Sequence, residues 1–195
     1  VTLTGSANHS GTTPMDMRAD AFAGLAIFAT RIPKIIAEHG TDQSRITVGK
    51  VELEPNFPHT IPGKTTFSVI TRDTDETVQR ALLKAVKDEI NASAKQHGLS
   101  TEIEGKSWIS PVALDPGLVD ILASEAETLV LDYIKMPSGA GHDAQTMQSL
   151  CPSALIFIPS RAGISHAPEE HSEWADILAG ARLMLASLLR LSSHR

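Results

Sequence analysis

A single cysteine, Cys151, stands in the whole 195-residue chain, which excludes an intrachain disulfide. It is expected to be a small buried hydrophobe before Pro152 rather than a nucleophile, in a protein of the reducing cytoplasm. No apolar run approaches the length that spans a bilayer, and the opening "VTLTGSANHSG" has neither the charged nor the apolar region of a secretory signal, so membrane and export are not expected. Basic blocks and arginine-rich stripes are missing too. With 23 acidic against 17 basic residues and a formal net charge of −6, small molecules or proteins are expected as partners and nucleic acid is not. There is no internal repeat and no low-complexity tract. The chain also lacks an initiator methionine and opens directly on an alternating run, which raises the expectation that the reading begins inside a longer protein.

What is present is an ordinary apolar fraction of 42%, enough for a core in one large domain or two small ones. "VTLTG" alternates as a strand does, and "TTPMD" offers Thr13 as a helix N-cap with Pro14 at the first helical position. Ala21, Leu25, Phe28, Ile32 and Ile35 recur at helical spacing, with Pro33 expected to kink or end that helix. "RITVGKVELE" and "TTFSVITRD" predict strands around the Pro-rich loop "PNFPHTIPGK". Asp75 and Glu76 then open a helix whose apolar stripe is Val78, Leu82, Val86, Ile90 and Ala94, with Gly98 as its stop and "STEIEGKSWI" returning as a strand. The order βαββαβ is the split pattern that builds an antiparallel sheet with both helices on one face. It spans residues 1–110.

"PVALDPG" interrupts both periodicities, and the pattern then changes for residues 111–195. Leu118 to Val130 predicts a helix. "MPSGAGHDAQTM" is a glycine-rich loop entering a short helix that Asp143 is expected to cap, unless its N–H groups hold an anion. "SALIFIP" reads as a strand buried on both faces, and Trp174 to Leu191 as a final amphipathic helix. One strand makes no parallel sheet, so this segment has the look of half an α/β domain.

The chemistry-bearing residues lie in the loops. His166 follows the carboxyl end of the apolar run, the edge where α/β sheets bind ligands and metals, with Glu169, Glu170 or Ser172 available to orient its ring. One histidine does not make a metal site, and a solvated loop residue is the plainer alternative. His9 stands between a strand and a helix start, in a position free to face a substrate. Asn56 and His59 occupy the loop leading to the strand that carries Arg72. That guanidinium is either a bidentate carboxylate clamp or an ordinary arginine on a solvent face.

Four stretches together, "GSANHSGTTPMDMRADA", "PNFPHTIPGKTTFSVITRDTD", "MPSGAGHDAQTM" and "FIPSRAGISHAPEE", resemble the amidohydrolase branch of the M20 metallopeptidase family. That branch holds allantoate amidohydrolase, N-carbamoyl-L-amino acid hydrolase and β-ureidopropionase. The resemblance implies an α+β chain: a ferredoxin-like βαββαβ lid and dimerisation domain at 1–110, then the carboxyl-terminal part of an α/β metallohydrolase domain at 111–195. It implies hydrolysis of a ureido or N-carbamoyl acid, a homodimer formed through the lid, and two divalent ions, zinc or manganese with nickel or cobalt as alternatives. The other metal ligands and the glutamate base would belong to a preceding half. By the same resemblance His166 is a metal ligand and His9 polarises the scissile carbonyl, often in a neighbouring subunit's site. Arg72 holds the substrate carboxylate, and Gly139, Ala140, Gly141 and His142 form a substrate-facing loop. At His59 many relatives carry asparagine; His59 and Asn56 are expected to donate hydrogen bonds to the substrate. A peptidase or aminoacylase of the same family, and a non-catalytic dimerisation or ligand-binding module, are the competing expectations.

Overall fold

The computed structural model describes residues 1–193. It divides into two compact units, Val1–Pro111 and Val112–Arg195.

In the first unit, β1 (Thr2–Thr4), β2 (Asn8–His9), α1 (Ala21–His39), β3 (Arg45–Glu54), β4 (Thr60–Ile61), β5 (Lys64–Arg72), α2 (Glu76–Gln96) and β6 (Ser100–Glu102) follow in order. The main sheet is antiparallel with strand order β3-β5-β1-β6, the expected βαββαβ arrangement, and β2 pairs separately with β4. Because side chains alternate along a strand, Phe67 and Val69 of β5, Ile46 and Val48 of β3 and Leu3 of β1 all turn to one face. There they meet Leu25, Phe28 and Ile35 of α1 and Leu82, Val86 and Ile90 of α2. Phe28 and Phe67 stack with ring centroids 6.1 Å apart at the centre of this core.

Local chemistry sets the ends of the helices. Asp20 accepts from the N–H groups of Phe22 and Ala23, and Asp75 from those of Thr77 and Val78, each cap contributing about 1 kcal/mol. Helix α2 ends in a Schellman turn: Gly98, at φ +64°, donates to the Lys95 carbonyl and Leu99 to that of Ala94. Two expectations at α1 are corrected. Thr13 and Pro14 do not open the helix; Met15–Met17 form a single 3-10 turn and α1 starts at Ala21. Thr13 is instead buried with its hydroxyl on the His9 carbonyl, so it cannot serve as a cap. Of the two outcomes expected at Pro33, an end to the helix is overturned, since α1 continues to His39. Pro33 sits on the exposed side, where the Ala29 carbonyl that loses its partner faces water. The last strand is also shorter than "STEIEGKSWI" suggests, since only Ser100–Glu102 find partners on β1.

The second unit holds α3 (Pro116–Thr128), α4 (Asp143–Met147) and α5 (Trp174–Ser192). Asp115 caps α3 through the Leu118 N–H. Helices α3 and α5 pack together, with Ala126 and Ser187 buried, and Arg190 on α5 reaches Glu125 and Ser124 of α3, each at 2.9 Å. The apolar run at 153–159 has no ladder partner among the described residues, although Gly180 of α5 lies so close that a Cβ there would sit 2.6 Å from Ile158 Cγ2. A strand exists only by pairing, and apolarity alone cannot supply the neighbour. Cys151 is exposed, not buried, because it falls in the turn after α4. Apolar side chains of this unit, Leu178, Leu185, Leu188 and Leu189 on α5 and Phe157 on the run, also stand more than half exposed. No helix of the described residues is long and apolar enough to cross a membrane.

Candidate active site

The β2–β4 pair brings together residues fifty apart in sequence. Asn8 lies opposite Ile61 and His9 opposite Thr60, and the Ser10 N–H donates to the His59 carbonyl at 3.0 Å. His9, Asn56 and His59 are therefore gathered at one end of the first unit, all exposed, with the His59 ring edge-on to Phe57. The connection is tight because Gly63 lies against Ala7, where a Cβ would come within 2.6 Å of the Ala7 nitrogen.

The His9 imidazole is held in one tautomer. Its Nδ1 accepts the backbone N–H groups of Gly11 and Thr12, both at 3.1 Å. A nitrogen that accepts two hydrogen bonds carries no proton in the neutral ring, so the proton is on Nε2, which is left as an outward-facing donor. Around it the turn is closed by the Thr13 N–H and hydroxyl, both on the His9 carbonyl, and by Arg18, whose Nη2 and Nε donate to the carbonyls of Ser10 and Thr13. The sequence offers no hint of that role for Arg18, because its targets are backbone atoms that only the folded turn presents.

Arg72 lies at the opposite end of β5. Eight residue steps along the strand from Lys64, at about 3.4 Å each for an antiparallel sheet, place it roughly 27 Å from the end of β5 that adjoins the His9 turn. It sits directly across from Arg45 on β3, a like-charge pair that is unfavourable unless an anion joins it. Arg45 turns away to the carbonyls of Asp42 and Ser44. Arg72 is half-buried on the face of the sheet away from the helices and has no carboxylate partner among the described residues. Next to it, Asp73 accepts from Ser44, Thr41 and the Asp75 N–H. Burial pushes this carboxyl up, but these hydrogen bonds, Ser44 foremost, together outweigh burial and hold it below its ordinary value.

In the second unit the glycine loop is partly held by its own side chains. The Ala140 N–H donates to Ser138 Oγ, and the His142 N–H to Gln145 Oε1. His142, not Asp143, is the N-cap of α4, since Asp143 already has helical backbone. The His142 ring bonds Ser138 Oγ at 3.0 Å and meets Phe157 edge-on at 5.3 Å, while Gly139, Ala140 and Gly141 are all exposed. His166 is exposed and has a left-handed backbone at φ +58°, with Ala162 at +55° nearby. For residues with a Cβ this costs about 1–2 kcal/mol each, and such strain clusters at functional sites. Its N–H donates to Glu170 Oε2 at 2.7 Å, so Glu170 fixes the backbone of His166 rather than its ring. The loop is closed by Arg161, whose N–H reaches the His171 carbonyl and whose guanidinium reaches Glu173. Hydrogen bonding to Arg161 and the charge of His171 lower the Glu173 carboxyl.

Among the described residues no three His, Cys, Asp or Glu side chains are grouped to hold a metal ion. His166 is a single donor, and a structural or catalytic divalent centre needs three or four.

A profile of peptidase family M20/M25/M40 matches residues 4–190. The chain is 37% identical to the allantoate amidohydrolase of Escherichia coli strain K12, over 98% of this chain and 46% of that protein. It is 31% identical to the N-carbamoyl-L-amino-acid amidohydrolase of Paenarthrobacter aurescens, over 95% of this chain and 45% of that one. The crystal structure of an amidase of the hydantoinase/carbamoylase family from Burkholderia multivorans is similar with a TM-score of 0.90 and 33% identity, over 97% of this chain and 46% of that chain. The chain thus spans about half the length of the relatives it matches.

Proposed function

The chain belongs to peptidase family M20/M25/M40, and on that footing we propose that it is part of an amidohydrolase cleaving a non-peptide C–N bond of a ureido or N-carbamoyl acid, such as allantoate or an N-carbamoyl-L-amino acid. The observation that carries this reading is the His9 imidazole, locked with Nε2–H outward beside the His59 loop. Such a neutral donor suits a carbonyl oxygen that gains negative charge as water adds to its carbon. A single donor placed on a developing oxyanion is worth about 3–4 kcal/mol of barrier. Arg72 provides the planar fork for the substrate carboxylate, whose binding energy orients the reacting group. Asn56, His59 and the loop Gly139, Ala140, Gly141 and His142 complete the contacts to substrate in this reading.

The separation of about 27 Å along β5 supports a homodimer. A small ureido acid cannot touch His9 and Arg72 of one first unit, so each reaction centre would draw the two residues from different chains. In this reading residues 1–110 form the lid and dimer contact, and 111–195 the carboxyl-terminal part of the catalytic domain. The apolar side chains exposed along α5 support that view, because so many large apolar groups open to water on one helix normally face further protein. His166 is then one ligand of a divalent pair, zinc or manganese with nickel or cobalt as alternatives, whose remaining donors come from outside this chain. The proposed compartment is the cytoplasm.

The test is ammonia release from allantoate, N-carbamoyl-L-amino acids and related ureido acids by the full-length protein containing this chain. Turnover of the panel is expected. Activity confined to peptides or N-acyl amino acids would move the assignment to a peptidase or aminoacylase, and no turnover with any of them would favour a non-catalytic module.

A further inference from the structure

We propose that Arg18 is a positioning residue that holds the His9 ring through a single intervening peptide group. The guanidinium Nη2 donates to the Ser10 carbonyl at 2.6 Å and Nε to the Thr13 carbonyl at 3.0 Å. The Ser10 carbonyl and the Gly11 N–H belong to one planar trans peptide unit and point in opposite directions. A cation on that carbonyl therefore aims the Gly11 N–H, and polarises it as a donor, toward His9 Nδ1, which it meets at 3.1 Å. The second prong fixes the far side of the same turn. The Thr13 residue whose carbonyl it takes sends its own N–H and hydroxyl back to the His9 carbonyl.

Three further features assign this role to Arg18 specifically. Its side chain has no carboxylate partner among the described residues, so its charge serves these two carbonyls alone. Both acceptors are backbone atoms three residues apart, a span that a rigid fork bridges and the point charge of a lysine does not. Gly11 leaves room for the close approach: a Cβ there would lie 3.3 Å from His9 Cε1, tighter than most such contacts. The result is a relay from guanidinium to peptide to imidazole, with Nε2–H held on the outside. The relay stands on geometry alone; its consequence for turnover rests on the carbonyl-polarising role given to His9 above.

Nitrogen-15 correlation spectra of the intact chain, at a pH where the ring is neutral, should show His9 in the Nε2–H form with Nδ1 hydrogen-bonded. Detection of the Nδ1–H form in the unsubstituted protein would overturn the proposal without any variant. In Arg18→Met, amide exchange at Gly11 and Thr12 should quicken about tenfold, the loss of roughly one hydrogen bond, and the His9 nitrogen signals should move toward those of a free imidazole. Amides of α1 and β5 should keep their protection, and Arg18→Lys should restore only part of the change. Wild-type exchange at Gly11 and Thr12 with unmoved His9 signals in Arg18→Met would sink the relay. If Arg18→Met lowers protection throughout the unit, Arg18→Lys decides: uniform loss there too would make Arg18 a general stabiliser and refute the assignment. In the full-length enzyme the same substitution should lower kcat with KM nearly unchanged. Failure of that readout alone, with the spectra as expected, would count against the role of His9 and leave the relay intact.

Discussion

Gly63→Ala tests how firmly the fold places His9. Gly63 is pinned on both sides, its N–H on the Glu54 carbonyl at 2.9 Å and its carbonyl accepting from the Gly5 N–H at 2.7 Å, so it cannot swing away from a neighbour. An added Cβ would lie 2.6 Å from the Ala7 nitrogen and 3.0 Å from the Ala7 Cβ. Ordinary contact begins near 3.4 Å, so the backbone at Ala7 must retreat by about 0.8 Å (3.4 − 2.6). Ala7 directly precedes Asn8 and His9, and the retreat has to break or tilt the β2–β4 pairing. Overpacking of this size costs about 1–3 kcal/mol. Urea denaturation of the chain should show that loss, with amide shifts concentrated between Ala7 and Thr13. In the full-length enzyme a displacement approaching 1 Å at a reacting group costs on the order of 10²-fold in kcat. Stability within about 0.5 kcal/mol of wild type together with unmoved signals at Asn8 and His9 would mean that the Gly63–Ala7 contact does not hold the His9 turn in place.

Asp20→Ala should cost about 1 kcal/mol in urea denaturation by freeing the Phe22 and Ala23 N–H groups. Asp73 has its carboxyl lowered in the folded state, so its stabilisation is complete above the unfolded-state value and is lost as pH falls through the folded one. Asp73→Asn should therefore be less stable than wild type at neutral pH and converge with it in acid, as read by denaturation at a series of pH values below the ordinary carboxylate range. Mixing inactive full-length His9→Ala and Arg72→Ala proteins under exchange of subunits should restore activity, since each hybrid dimer has one centre with both residues intact. No recovery on proven hybrid formation would rule out the division of labour between chains. Calorimetric titration of this chain alone with Zn²⁺ or Mn²⁺ should reveal no pair of tight sites, and two such sites would contradict the reading of His166 as a single donor.

The elements whose signals are local were legible in the sequence. The stripe Leu82, Val86, Ile90 fixes the buried face of α2, Asp75 its start and Gly98 its stop, because 3.6-residue periodicity, capping and left-handed backbone each depend on a few neighbouring residues. The misread positions turn on surroundings that only the fold supplies. Thr13 has the residue type of a cap, but its hydroxyl finds the His9 carbonyl; Pro33 has that of a terminus, but its exposed setting leaves the unpaired Ala29 carbonyl to solvent. The run at 153–159 has the composition of a buried strand, yet strandhood needs a neighbour that composition does not provide.

The same division holds for the site. His9, Asn56, His59, Arg72 and His166 could be picked out as chemistry-bearing residues in loops or on a strand. Their arrangement could not: a tight pairing of Asn8 and His9 with Thr60 and Ile61 joins two of the loops, while the length of β5 holds Arg72 apart from them. The order βαββαβ, the buried faces of its helices and the residue types available for chemistry are written in the chain, since these are properties of short windows. Which ring nitrogen of His9 bears the proton, what Arg18 holds and how far Arg72 lies from His9 emerge on folding alone. The first two depend on backbone groups of Ser10 to Thr13 that meet these side chains only in the folded turn, and the third on a pairing between segments some fifty residues apart.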